Sequence, residues 1–322
     1  MHQNTTRATR PATRRAATSR LSTGRPPTRR RAITLGALAA LGAITAFAGS
    51  AHGATVDAGD YTRLPDGTNL AVLYYQHVEG KRLYRQGDQL SGNARLTAEV
   101  GILRAVRFVD VGDVTVIPQF LLPFGRLRSG GDLSGLSSAN GIGDLIFAPT
   151  VHLMKDPERK RAFAITPWIY LPTGQYDRDK ALNAFGENRW KLDMQAGYIT
   201  PLSDKWTLDL VGDVVWYGRN SDFGGTGATM RQAVSYQAQA HLRYHVAAAT
   251  HVAGMLSHEW GGETRVDGLG QGDDQRRTKG LLSIGHFVSP TVQLLGSYGR
   301  DFSVRTGLKE DHRFNLRLVK VF

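Results

Sequence analysis

Histidines, serines and glycines in suggestive spacings are the first places to look for chemistry. His241 and His245 stand four apart, the spacing at which one helical face presents two ligands to a metal ion. On a strand, four residues advance about 13 Å at roughly 3.3 Å each, so the two could not share an ion. Ser257-His258 pairs a nucleophile type with a base type. Adjacent strand residues point to opposite faces, however, so a relay would need a partner from another strand. Gly224-Gly225-Thr226-Gly227 lacks the lysine and the strand–helix setting of a phosphate loop and reads as a loop tip. With no cysteine, thiolate ligands, disulfides and a cysteine nucleophile are excluded. No catalytic residue, metal site or cofactor emerges, and an enzyme is not expected.

All of this depends on the positioning elements being strands, and the patterning says they are. From Gln232 to His245 the even positions carry six apolar residues of seven, and the odd positions one of seven. That is period two, not 3.6. Trp206, Leu208, Leu210, Gly212, Val214 and Trp216 share one face, with Thr207, Asp209 and Asp213 on the other. Ten residues separate the tryptophans, about 33 Å of strand. Tilted by about 40°, this projects to roughly 25 Å, the height of the apolar band between the aromatic girdles of a membrane barrel.

Twelve alternating segments are expected, at 68–78, 93–109, 113–122, 143–154, 161–170, 189–200, 206–217, 231–246, 250–260, 279–288, 291–304 and 308–322. Every second connection is tight, and the intervening ones are mostly long. Residues 110–112, 155–160, 201–205, 247–249 and 289–290 turn the chain quickly. Residues 79–92, 123–142, 171–188, 218–230 and 261–278 are long and mostly rich in Gly, Ser and charge. Short periplasmic turns opposite long extracellular loops are the plan of an outer-membrane barrel. The expectation is therefore all-β: an antiparallel transmembrane β-barrel of about 12 strands spanning 68–322, with both termini in the periplasm. Phe314, Leu316, Leu318 and Phe322 share a face and end on an aromatic carboxyl terminus. This resembles the strand recognised by the barrel-assembly machinery, although Lys320 interrupts it.

The charge supports the same reading. The chain has 322 residues with 40 Lys+Arg against 28 Asp+Glu, a net +12. Nine of the arginines lie in residues 1–53, which hold no acidic residue; the remainder carries 31 basic and 28 acidic groups. An apolar run, 32–48, follows the arginines, and Ala51 and Gly53 fit the small-x-small rule, so 1–53 is expected to be a signal peptide cleaved after Gly53. The run would rise only about 25 Å as a helix, short of the roughly 30 Å of a bilayer core. Arg29-Arg30-Arg31 hints at the twin-arginine route, but a barrel that folds after export suits ordinary secretion. The basic excess is thus an address and not a nucleic-acid arm. Residues 54–67 are expected to form a short periplasmic segment. A mean hydropathy of −0.29 is compatible with a barrel because only alternate residues face lipid.

Residues 141–190 carry a family resemblance. Gly141-Ile142-Gly143-Asp144 enters one strand, and Leu171-Pro172-Thr173-Gly174-Gln175-Tyr176-Asp177 leaves another. Asn183 and Gly186-Glu187-Asn188-Arg189-Trp190 follow. This resembles the outer-membrane family of transporters associated with the phenol meta-cleavage degradation pathway. The resemblance implies a barrel for uptake of aromatic or other hydrophobic compounds.

The polar faces nominate a lumen: Glu99, Asp144, Lys191, Asp193, Gln195, Asp209, Asp213, His241, Arg243, Arg313 and Arg317. Pro172, Thr173, Gly174, Tyr176, Asp177, Asn188, Arg189 and Trp190 are candidates for the loop at the mouth. The resulting expectation is an outer-membrane channel passing small hydrophobic or aromatic solutes by diffusion, with lipids, the solute and the assembly machinery as partners. A plugged, structural or adhesive barrel is the alternative, and a barrel enzyme a more distant one.

Overall fold

The computed structural model describes residues 53–322, apart from Ser137, Pro157, Ala181, Ala184, Phe185, Gly225 and Thr226. The expected signal peptide, Gly53 excepted, lies outside the described residues. Twelve antiparallel wall strands close into one barrel. They are β1 (Asn69–Arg85), β2 (Ala94–Arg107), β3 (Val114–Ile117 continuing as Gln119–Gly131), and β4 (Leu145–Phe147 and Thr150–Asp156). Then come β5 (Arg161–Leu171), β6 (Lys191–Pro201), β7 (Trp206–Tyr217), β8 (Ser235–Ala247) and β9 (Thr250–Gly261). The circuit ends with β10 (Gln275–Ser289), β11 (Val292–Val304) and β12 (Gly307–Val321).

Closure is made by β1 against β12, in register from Leu70↔Val321 to Tyr84↔Gly307. In lipid every backbone N–H and C=O must be paired within the protein, and closure leaves no open edge. Asn69 and Phe322 exchange backbone hydrogen bonds, so the two ends of the barrel chain meet at the short-turn rim, as an even strand count demands.

Outward positions build the lipid face. Leu73, Leu103, Leu210, Leu256, Leu282 and Leu316 are exposed, Leu282 to 71%. A surface this apolar would be an aggregation hazard in water but is what a bilayer requires. Trp206 packs on Tyr244 near the short-turn end, and Tyr236 stacks on Trp260 near the long-loop end, marking two aromatic belts.

The long connections are more ordered than their composition suggests. β1 runs to Arg85, beyond the expected end at 78, and β3 to Gly131. Short strands at Asn220–Phe223, Ala228–Gln232, Thr264–Val266 and Leu269–Gly270 form a separate four-stranded sheet above the rim. It is pinned by a small core of Phe223, Ala228, Met230 and Val266.

Candidate functional site

The interior is not empty. Residues 53–63 do not extend away from the barrel as the expected periplasmic segment; they rise into the bore from the short-turn rim. Tyr61 donates to Gln195 Oε1 at 2.7 Å, Gly59 N to Asp209 Oδ2 at 2.8 Å, Val56 N to Gln239 Oε1 at 3.3 Å and Ala54 N to Asp193 Oδ2 at 2.8 Å. The residue types explain the docking. Val56 and Tyr61 pack on the apolar interior of β3 to β7, with Leu121, Ile146, Ala164, Trp168 and Val211. Asp57 and Asp60 face the other way. Arg317 Nη1 reaches Asp57 Oδ2 at 3.0 Å and Asp60 Oδ1 at 2.6 Å, and Arg104 Nη1 reaches Asp60 Oδ2 at 3.0 Å. Burial pushes both carboxyls up. At Asp60 the guanidiniums of Arg104 and Arg317 outweigh that push and hold it below its ordinary value, whereas Asp57 remains raised.

Beside this segment lies a cavity of about 150 Å³ with two unlike walls. One is apolar and aromatic: Val100, Ile102, Leu121, Ile146, Trp168 and Tyr170. The other is charged: Glu259, Arg277, Lys279, Glu310 and Arg313. The charged wall is a compact network. Arg277 Nη1 lies 2.9 Å from Asp301 Oδ2, Lys279 Nζ 3.0 Å from Glu310 Oε1, and Arg313 Nη2 2.8 Å from the same oxygen. With Glu259, three cations oppose three carboxylates, which is how buried charge is tolerated.

Apolar packing fills part of the extracellular end. Leu133 and Leu182, from two long loops, join Val78, Leu96, Val100, Leu127 and Leu308 in one buried cluster. Beneath the 171–190 loop sits a second ionic knot. Glu187 accepts from Arg189 Nη2 at 2.6 Å and Lys191 Nζ at 2.8 Å, while Lys191 lies 3.8 Å from the Tyr170 ring centre and Arg189 4.7 Å from that of Tyr217. Burial raises the Glu187 carboxyl, but Lys191 and Arg189 outweigh it and hold it at about 2.

The lumen candidates divide. Lys191, Asp193, Gln195, Asp209, Asp213, His241, Arg243, Arg313 and Arg317 are all buried facing the interior. Gln195 sits at a crossing, bonded to Tyr61, Trp168 Nε1, Ala54 O and Asp213. Arg243 pairs with Asp209 at 2.8 Å. Asp144 is a loop anchor, accepting from Gly174 N and Glu187 N. Glu99 is a correction. In β2 the buried, inward residues are Leu96, Ala98 and Val100, and Glu99 points outward to Arg126 and Arg128.

The mouth candidates are structural for the most part. Thr173 Oγ1 accepts from Leu145 N, Tyr176 donates to Asp222 O, and Asp177 accepts from Asp179 N. Gly174 is required by close approach, because a Cβ there would lie 2.6 Å from Asp144 N. Asn188 has φ of 52°, a left-handed position that asparagine tolerates, and bonds Asn220. Arg189 is buried in the Glu187 knot, while Pro172 and Trp190 are exposed. Ser257 faces the interior whereas His258 faces out, bonded to Thr278 and stacked on Trp260.

Sequence reading missed Asp57, Asp60, Arg104, Trp168, Tyr170, Glu187, Arg277, Lys279 and Glu310. Arg277 had a signal, since Gln275, Arg277 and Lys279 continue the inward alternation of β10. Glu310 had less. A register shift between Glu79 and Gly80 on the partner strand brings both Glu310 and Arg313 to the inside.

The comparisons agree with this architecture. An outer membrane channel from Pseudomonas putida F1 is 43% identical over 83% of this chain and 100% of its own, with a TM-score of 0.81. The transport unit of the autotransporter AIDA-I from Escherichia coli matches 87% of this chain and 97% of its own at 9% identity and a TM-score of 0.51, a likeness of fold alone. No curated protein matches. A family model described as "Putative MetA-pathway of phenol degradation" matches residues 80–318. The protein is therefore an outer-membrane β-barrel, and it belongs to that phenol-degradation-associated family.

Proposed function

We propose that the protein is an outer-membrane channel that passes small solutes with an apolar, ring-sized body and one polar end, by diffusion through the bore. The observation that carries this reading is the two-walled cavity, in which Ile102, Trp168 and Tyr170 face Arg277, Lys279 and Glu310. An apolar ring would lie on the first wall while a hydroxyl or carboxylate exchanged water for the ionic network on the second. The relative described as an outer membrane channel and the phenol-degradation family support it. Neither catalysis nor a cofactor is needed. Outer-membrane lipids surround the belt, and Phe322, 70% exposed at the rim, is offered to the assembly machinery.

One observation favours a second reading, a non-conducting structural barrel: residues 54–61 occupy the bore. Osmotic swelling of liposomes separates the two. Entry of a one-ring aromatic sulfonate faster than that of a disaccharide is expected; protein-free rates for both solutes would overturn the channel reading.

A further inference from the structure

Asp193 and Asp213 are buried on neighbouring strands, 0% and 4% exposed. Among the described residues no lysine or arginine bonds to either. Asp213 is held by neutral amides, Gln195 Nε2 at 2.5 Å and Gln239 Nε2 at 3.4 Å. Asp193 Oδ2 takes the Ala54 N–H at 2.8 Å. Two buried carboxylates served only by neutral donors are strongly unfavourable, and the rest of this lumen pairs its charges.

The shortfall is local. Asp193 Oδ1 and Gln237 Oε1 are buried acceptors with no donor among the described residues. Gly53 lies against this same pocket: a Cβ on it would come 2.7 Å from Gln237 Oε1 and 3.0 Å from the Asp213 Cβ. The carbonyl of Ala54 is meanwhile clamped by Gln195 Nε2 at 2.8 Å and Gln239 Nε2 at 3.0 Å, fixing where its nitrogen points.

We propose that the α-ammonium of Ala54, freed by signal cleavage after Gly53, is the counter-ion of Asp193 and Asp213 inside the barrel. The inference rests on residues 1–53 being a signal peptide, and it does not depend on what the channel passes. Hydrolysis of the Gly53–Ala54 bond by water leaves a carboxylate on the departing segment and an amine, protonated, on Ala54. A peptide nitrogen has one proton and no charge; the ammonium has three donors and a full positive charge, matched to the unserved acceptors. Export thus supplies a cation that the sequence does not encode as a side chain.

The test uses protein purified from outer membranes. Its intact mass is expected to match a chain beginning at Ala54; any other start overturns the proposal. An amine-specific acylating reagent at neutral pH should leave the terminal peptide unlabelled in the folded barrel and label it after boiling. Ready labelling of the folded protein would also overturn it. In the D193N/D213N variant the terminal amine should become labelled without boiling, with the barrel still shifting on gels; unchanged protection would refute the ion pairing. None of these readouts involves solute flux.

Discussion

The wall from β6 to β8 and the wall from β2 to β3 line one bore with opposite chemistry. In β6 to β8 the inward row is Lys191, Asp193, Gln195, Asp209, Asp213, Gln237, Gln239 and His241, the ordinary polar lining of a membrane barrel. In β2 and β3 it is mainly Leu96, Ala98, Val100, Ile102, Leu121 and Leu127, with Arg104 reaching in to Asp60. The polar wall docks residues 54–61 through hydrogen bonds, and the apolar wall faces the remaining cavity. The contrast teaches that inside and outside cannot be told from polarity alone. Near the extracellular rim β2 rises above the lipid band, so Glu99 on its outer face meets water and arginine instead of acyl chains.

The comparison can be broken from either side. The largest loss is expected from R277M, which leaves Asp301 and Glu310 short of a buried cation and should cost about 3–5 kcal/mol. It would be read as a lowered temperature for loss of the compact gel form. L96A on the apolar wall should cost about 2–4 kcal/mol, since it opens a void among Val78, Leu127 and Leu308. If L96A proved silent, the apolar interior would not be a packed core.

A third effect depends on pH. The Glu187 carboxyl is held at about 2, below its ordinary value of roughly 4.3. Its contribution is therefore complete above the unfolded value and is lost as pH falls through about 2. E187Q should be less stable than the parent at pH 7, and the gap should close on acidification; a gap that is constant with pH would contradict the assignment. The smallest effect is expected from E99Q, about 0–1 kcal/mol, because its arginine partners are half exposed. A large loss there would mean that Glu99 does face the bore.

How much was legible follows the same division. Alternation in 206–217 and 232–245 revealed strands and faces because those segments cross the lipid band squarely. Loop lengths ordered the topology because turns on the two sides do different jobs. Residues 54–61 were not legible as a plug: a short run with four apolar and two acidic side chains looks like any solvated tail until Arg104 and Arg317 are placed opposite it. Glu187 showed only as part of the 186–190 motif, since its partners Arg189 and Lys191 gather around it only when the loop folds inward.

A working channel requires that solutes pass along the apolar wall. Ile102 lines the cavity, and its neighbour Leu103 points into lipid, 53% exposed. The cysteine-free, single-domain barrel allows a matched pair, I102W and L103W, compared with the parent in liposomes for uptake of a one-ring aromatic sulfonate. Uptake should fall towards the protein-free rate in I102W and stay at the parent rate in L103W. Equal uptake by both variants would contradict passage through the bore.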